Sequence, residues 1–178
     1  MSYGEFVKTK LAMTSRQGID RPVDGYQMFP HQIDLVRWAL RRGASAIFAD
    51  TGLGKSRMQV AWANEVQKHT GQDVLILAPL AVAEQTVEEA ASIGVKVTHA
   101  REESDLQPGL NITNYDRIHK FDCSRFAGVV LDESSIIKHH TAKTLQTLLT
   151  AFRHTPFKLC ATATPAPNDW TELGNHAE

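Results

Sequence analysis

The stretch Ala44-Ser45-Ala46-Ile47-Phe48-Ala49-Asp50-Thr51-Gly52-Leu53-Gly54-Lys55-Ser56 decides the fold. It opens as an apolar run of strand length, turns through two glycines and enters residues 56–69, which have helical spacing and end at Gly71. Strand, glycine-rich turn and helix in that order are the setting a phosphate-binding loop needs. Gly52 and Gly54 let the backbone turn tightly and bring its N–H groups toward phosphate oxygens, and the helix N-terminus adds partial positive charge. Lys55 can reach the β- and γ-phosphates of a nucleotide, and the Ser56 hydroxyl can ligate magnesium. Thr51, Gly52, Leu53, Gly54, Lys55 and Ser56 are therefore candidate nucleotide-binding residues. Ala49 stands where the usual pattern has a glycine. The plainer alternative is a glycine-rich turn carrying a surface lysine.

Upstream, Pro30 can open a helix because its missing N–H would be unpaired there anyway. Ile33, Leu35, Val36, Trp38, Ala39 and Leu40 give that helix an apolar face up to Gly43. Downstream, strands are expected at 74–78, 95–99, 110–113, 128–131 and 157–161, helices at 82–93 and from Thr141 to Phe152, and a helical turn near 115–119. Residues 101–108 read as a polar loop and 168–176 as a short helix. Strands alternating with helices imply right-handed crossovers and a mostly parallel sheet with helices on both faces, an α/β three-layer fold. The strands are nearly continuous apolar runs, as a sheet covered on both sides requires. Residues 1–25 lack clean periodicity and read as an N-terminal arm, so the domain is placed at 26–178.

Composition narrows the class. In 178 residues, 42% hydrophobic and 22% charged, there is material for one globular domain with a short arm, and disorder is excluded. A net charge of −1 excludes a protein that coats nucleic acid by charge alone, while leaving a local basic groove open. No apolar run approaches the roughly 18 residues of a membrane span, and the N-terminus has no signal-peptide core, so no membrane association is expected. Two cysteines, Cys123 and Cys160, make no disulfide framework and point to a reducing, intracellular, cytoplasmic setting. Cys160 reads as a small core residue and Cys123 as part of a polar turn. Trp38 and Trp62 read as core rather than as base-stacking platforms. No pair of histidines has metal-ligand spacing.

A second motif carries chemistry. Val129-Val130-Leu131-Asp132-Glu133 is an apolar strand ending in two carboxylates, and ligands of open α/β sheets bind at the carboxyl ends of strands. Asp132 would hold magnesium, together with Ser56, and Glu133 would orient and activate an attacking water. Lys55, Asp132 and Glu133 form the candidate catalytic set. A solvated acidic turn is the plainer alternative.

These motifs, with four others, resemble the first RecA-like lobe of superfamily-two helicases and translocases, and most closely the Swi/Snf-type DNA translocases of bacterial and phage kind. Phe29-Pro30-His31-Gln32 resembles the segment whose glutamine reads adenine, so Gln32 joins the cofactor-binding set. Leu77-Ala78-Pro79-Leu80 is similar to motif Ia, and Ile112-Thr113-Asn114-Tyr115-Asp116 to the family's I-T-x-Y-[DE] segment. Asp132-Glu133-Ser134-Ser135, with Lys138, resembles motif II. Ala161-Thr162-Ala163-Thr164-Pro165 resembles motif III, continued by Asn168, Glu172 and Leu173. Ser135 and Thr86 stand where many relatives carry His or Asp and tryptophan respectively. The resemblance implies a RecA-like P-loop NTPase fold, ATP and Mg2+ as cofactors, and hydrolysis of the β–γ bond. It also implies nucleic acid, double-stranded DNA, as partner. Motifs IV to VI, with the arginine finger, belong to a second RecA-like lobe that this sequence does not contain and that the same or another chain would supply. A stand-alone nucleotide-binding or adaptor module without turnover is the other reading. A small kinase is disfavoured, because no arginine-rich lid segment is found.

Overall fold

The computed structural model describes residues 18–134 and 142–164. Ser135, Lys138, Thr141, Pro165 and the expected helix at 168–176 lie outside them. The helices are α1 (Pro30–Arg42), α2 (Lys55–Thr70), α3 (Leu80–Ser92) and α4 (Ala142–Ala151). The strands are β1 (Ala44–Phe48), β2 (Val74–Ala78), β3 (Val97–His99), β4 (Leu110–Asn114), β5 (Gly128–Asp132) and β6 (Phe157–Thr162). Short 3-10 helices occupy Glu103–Asp105, Tyr115–Lys120 and Cys123–Arg125.

Local chemistry sets these boundaries. Pro30 opens α1, Arg41 and Arg42 lie in its last turn where the helix dipole favours cations, and the Gly43 N–H returns to the Ala39 and Leu40 carbonyls. Gly71, at φ 69°, closes α2 by donating to the Gln67 carbonyl. The α3 helix begins at Leu80, two residues before the sequence places it, because Pro79 caps it in an extended conformation and Pro fixes φ without needing an N–H partner.

The six strands form one sheet in the order β1-β6-β5-β2-β4-β3, and every pairing is parallel. Alternate residues face opposite sides. Val74, Ile76 and Ala78 of β2 and Val130 of β5 join the core beneath α1, α2 and α3. Leu75, Leu77 and Val129 join a second core beneath Tyr115, Ile118, Phe121, Phe126, Leu148 and Phe152. The result is the three-layer α/β architecture, with 3-10 turns and α4 covering the second face.

Three details depart from the sequence reading. Trp62 is fully buried, but Trp38 is 48% exposed, so the apolar face of α1 is narrower than its periodicity suggests. Cys123 lies in a polar turn yet points inward, and its thiol is buried in the second core. Residues 18–25, assigned to the arm, pack against the domain: Ile19 and Val23 are buried in the first core, and the Ile19 N–H donates to the Leu40 carbonyl. No helix among the described residues is long and apolar enough to cross a membrane.

Candidate active site

In an all-parallel sheet every strand ends on the same edge. Phe48, Ala78, Asp132 and Thr162 therefore terminate β1, β2, β5 and β6 together. Because β6 lies between β1 and β5, the loop after β1 and the acidic pair after β5 flank the same strand end.

The loop is built on its own backbone. Asp50 Oδ1 accepts from the Thr51 N–H at 2.7 Å, and the Asp50 carbonyl accepts from the Leu53 N–H. Gly52 and Gly54 take φ of 81° and 76°, which L side chains rarely adopt. Ala49 keeps an ordinary negative φ, and its N–H continues the sheet by donating to the Thr162 carbonyl. Alanine is therefore tolerated where the usual pattern has glycine. Lys55 Nζ curls over the loop, donating to the Ala49 carbonyl at 2.8 Å and the Asp50 carbonyl at 3.1 Å. Ser56 follows in the first turn of α2 and is half-buried.

Gln32 reaches this loop from α1. Its Oε1 accepts from the Phe29 N–H at 2.9 Å, and its Nε2 donates to the Leu53 carbonyl at 2.9 Å. A Cβ on Gly54 would meet that Nε2, so glycine is favoured there by the Gln32 contact as well as by φ. Phe29, beside Gln32, is 67% exposed, with its ring stacked on His31.

The acidic pair is held differently. Asp132 is buried, and burial pushes its carboxyl above the usual carboxylate range. Hydrogen bonds from Gln59 and the Glu133 N–H oppose that shift, the Glu133 charge reinforces it, and Lys55 is near enough to draw it back down. Gln59 Nε2 donates to Asp132 Oδ1 at 2.6 Å, and the Glu133 N–H donates to the same oxygen at 3.0 Å. From the opposite face of the sheet, the buried Tyr115 hydroxyl donates to the Asp132 carbonyl at 2.7 Å. Glu133 has φ 50°, the one positive φ among described residues other than glycine. Such strain costs on the order of 1–3 kcal/mol and gathers at functional sites. Its Oε1 accepts from Thr162 Oγ1 at 2.7 Å, and Thr162 Oγ1 accepts from the Thr164 N–H at 3.0 Å. Thr162 thus touches both motifs, through its carbonyl to Ala49 and through its hydroxyl to Glu133.

A divalent cation suits this donor set. A buried carboxylate whose charged form is disfavoured gains most from a nearby cation, and an aspartate with a serine hydroxyl are the oxygen ligands that magnesium takes alongside phosphate. The structure brings Lys55, Asp132 and Glu133 to one edge, with Ser56 and Gln32 adjoining. Gln59 was not singled out from the sequence. The available signal was a lone polar residue between Met58 and Val60, four residues after Lys55, on a helix face that is otherwise core.

The family model described as SNF2-related domain matches residues 31–175. No curated protein matches the sequence. Among solved structures, the chain is similar to the UvsW helicase from bacteriophage T4, at 15% identity over 99% of this chain and 65% of that one, with a TM-score of 0.70. It is also similar to the Sulfolobus solfataricus SWI2/SNF2 ATPase core in complex with dsDNA, at 19% identity over 90% and 36%, with a TM-score of 0.64. A hypothetical ATP-dependent RNA helicase from Sulfolobus tokodaii matches at 12% identity over 99% and 54%, with a TM-score of 0.57. These likenesses carry the RecA-like helicase fold, and the chain spans about one to two thirds of the length of these three structures.

Proposed function

The chain belongs to the SNF2-related domain family, and on that premise we propose that it is the ATP-binding lobe of a Swi/Snf-like, DNA-dependent ATPase. In this reading it uses Mg-ATP hydrolysis to act on duplex DNA when joined to a second RecA-like lobe. The observation that carries the reading is the meeting at Thr162, where the backbone of the phosphate loop and the carboxylate of Glu133 are tied to one residue at one sheet edge. Lys55 and the N–H groups of Gly52 to Ser56 receive the phosphates. Ser56 and Asp132 hold magnesium, which supplies charge neutralisation at the phosphoryl oxygens. Glu133, fixed by Thr162 and by its own strained backbone, orients water for in-line attack. Gln32 is tied to the loop at the Leu53 carbonyl, and in this reading the second N–H of its amide meets the adenine edge.

Duplex DNA as the partner is supported by the family and by the bound dsDNA of the Sulfolobus solfataricus neighbour. Calorimetric titration of ATP with and without magnesium, followed by gel-shift titration of duplex DNA, tests the proposal. Magnesium-dependent ATP binding that Lys55→Ala weakens is expected. Failure to bind ATP would overturn it, and ATP binding without any DNA binding in a two-lobe form would favour a nucleotide-binding adaptor.

A further inference from the structure

We propose that Gln59 is a positioning residue for the metal-binding carboxylate, presenting Asp132 to magnesium with one chosen oxygen. The inference rests on the nucleotide-site reading above and adds to it a residue outside the recognised motifs. Gln59 is fully buried on α2, among Met58, Val60, Ala61 and Trp62. Its Nε2 donates to Asp132 Oδ1 at 2.6 Å, while its Oε1 is buried with no hydrogen-bond partner among the described residues. The carboxylate fixes the sense of the amide, because acceptor-only oxygens require the NH2 end. A buried, unpaired acceptor is unfavourable, and a residue present for packing alone would be served better by Leu or Met. The donor to Asp132 gives the site a reason to keep that cost.

The consequence is geometric. Among the described residues, both hydrogen bonds to the carboxylate, from Gln59 and from the Glu133 N–H, fall on Oδ1. Oδ2 is left as the oxygen for the cation. The Tyr115 hydroxyl holds the carbonyl of the same residue from the other face, so Asp132 is clamped at both ends of its rotatable bonds. The clamp also joins two halves of the site. Gln59 rides on the helix that begins at Lys55, so the phosphate loop and the metal ligand share one rigid body. Hydrogen-bonding partners of metal ligands commonly matter by about 10- to 100-fold in metal affinity.

The test is the magnesium linkage of ATP binding: the ratio of ATP affinities measured by calorimetry with magnesium and with EDTA. It is run on wild type, Gln59→Met, Gln59→Leu, Asp132→Asn and the Gln59→Met/Asp132→Asn pair, with a thermal melt of each. Gln59→Met is expected to lower the linkage by about tenfold while leaving metal-free affinity unchanged and the fold intact in the melt, since the Glu133 N–H still holds Asp132 Oδ1. On Asp132→Asn it should add nothing. An unchanged linkage, or an equal loss with and without metal, would overturn the proposal. So would failure of both apolar variants to fold, which would make Gln59 a structural residue. Absence of magnesium linkage in the wild type would overturn the underlying reading of the site together with this one, whereas a linkage in the wild type that survives in Gln59→Met sinks only the role of Gln59.

Discussion

The two loop glycines carry different burdens. Both have positive φ, but a Cβ at Gly52 meets nothing within 4 Å, whereas one at Gly54 meets Gln32 Nε2. Moving the Gln32 amide aside would give up its bonds to the Phe29 N–H and the Leu53 carbonyl. Gly54→Ala is therefore expected to lower the melting temperature and nucleotide affinity more than Gly52→Ala, whose cost is the backbone strain of about 1 kcal/mol; paired melts and calorimetry on the two variants check the order. Lys55→Ala should do the opposite of a core change. Among the described residues the Lys55 ammonium donates only to loop carbonyls, so the melt should be unchanged while ATP affinity falls by the roughly 1.5–3 kcal/mol of lost charge-assisted hydrogen bonding. Calorimetry and a melt on one sample read both. The loop was legible because glycine, lysine and serine at fixed spacing each answer one need of a phosphate. Gln59 was not, because its role lies in a contact with Asp132, 73 positions away, that no local pattern encodes.

Between elements, the segment before α1 is joined to α2 by a polar hub. The Tyr26 hydroxyl donates to Glu65 Oε1 at 2.6 Å and accepts from Asn64 Nδ2 and Lys68 Nζ. Lys68 Nζ and Arg21 Nε also pair with the buried Glu65 carboxylate, at 2.8 and 2.9 Å. Burial, then the bond to Glu65, raise the Tyr26 pKa above its ordinary 10.0, and the bond to Glu65 raises that of Lys68 above 10.5. Both groups hold protons more tightly folded than unfolded, so their contribution to stability is complete below about pH 10 and is lost as pH rises through the folded values. Tyr26→Phe should cost about 1–2 kcal/mol at neutral pH, and the gap to wild type in thermal melts should close above pH 10. A gap that stayed constant would count against the hub. Residues 18–25 were not legible as part of the domain, since they contribute only Ile19 and Val23 to the core and have no repeating pattern. Strands such as β2, apolar at every position, were legible because burial on both faces leaves no polar alternative.

At the scale of the molecule, alternation of strands and helices gave parallel pairing, but strand order came only with the structure. Hydrophobic strands specify that they are covered, not which neighbour they take. The placement of β6 between β1 and β5 is what makes one site of two motifs. That site is one-sided. Among the described residues its positive charge comes from Lys55, and the next cation along the loop, Arg57, is committed to Glu89 at 2.7 Å and to the Gln27 carbonyl at 3.0 Å. Among the described residues, no arginine of this edge is then available to stabilise charge on a transferring phosphoryl group. In related phosphate-loop enzymes such a finger is worth about 10³–10⁵ in rate, roughly 4–7 kcal/mol of barrier, which exceeds what positioning of water by one glutamate offers, about 10²–10⁴. The purified 178-residue chain is therefore expected to hydrolyse ATP barely, with or without duplex DNA, even where it binds the nucleotide. A coupled ATPase assay over a range of protein concentrations decides. Robust turnover proportional to protein would refute the expectation. Specific activity that rises with concentration would mean that a second copy supplies the missing charge across an interface. A jump in rate on adding a second RecA-like lobe would place that charge where the family has it.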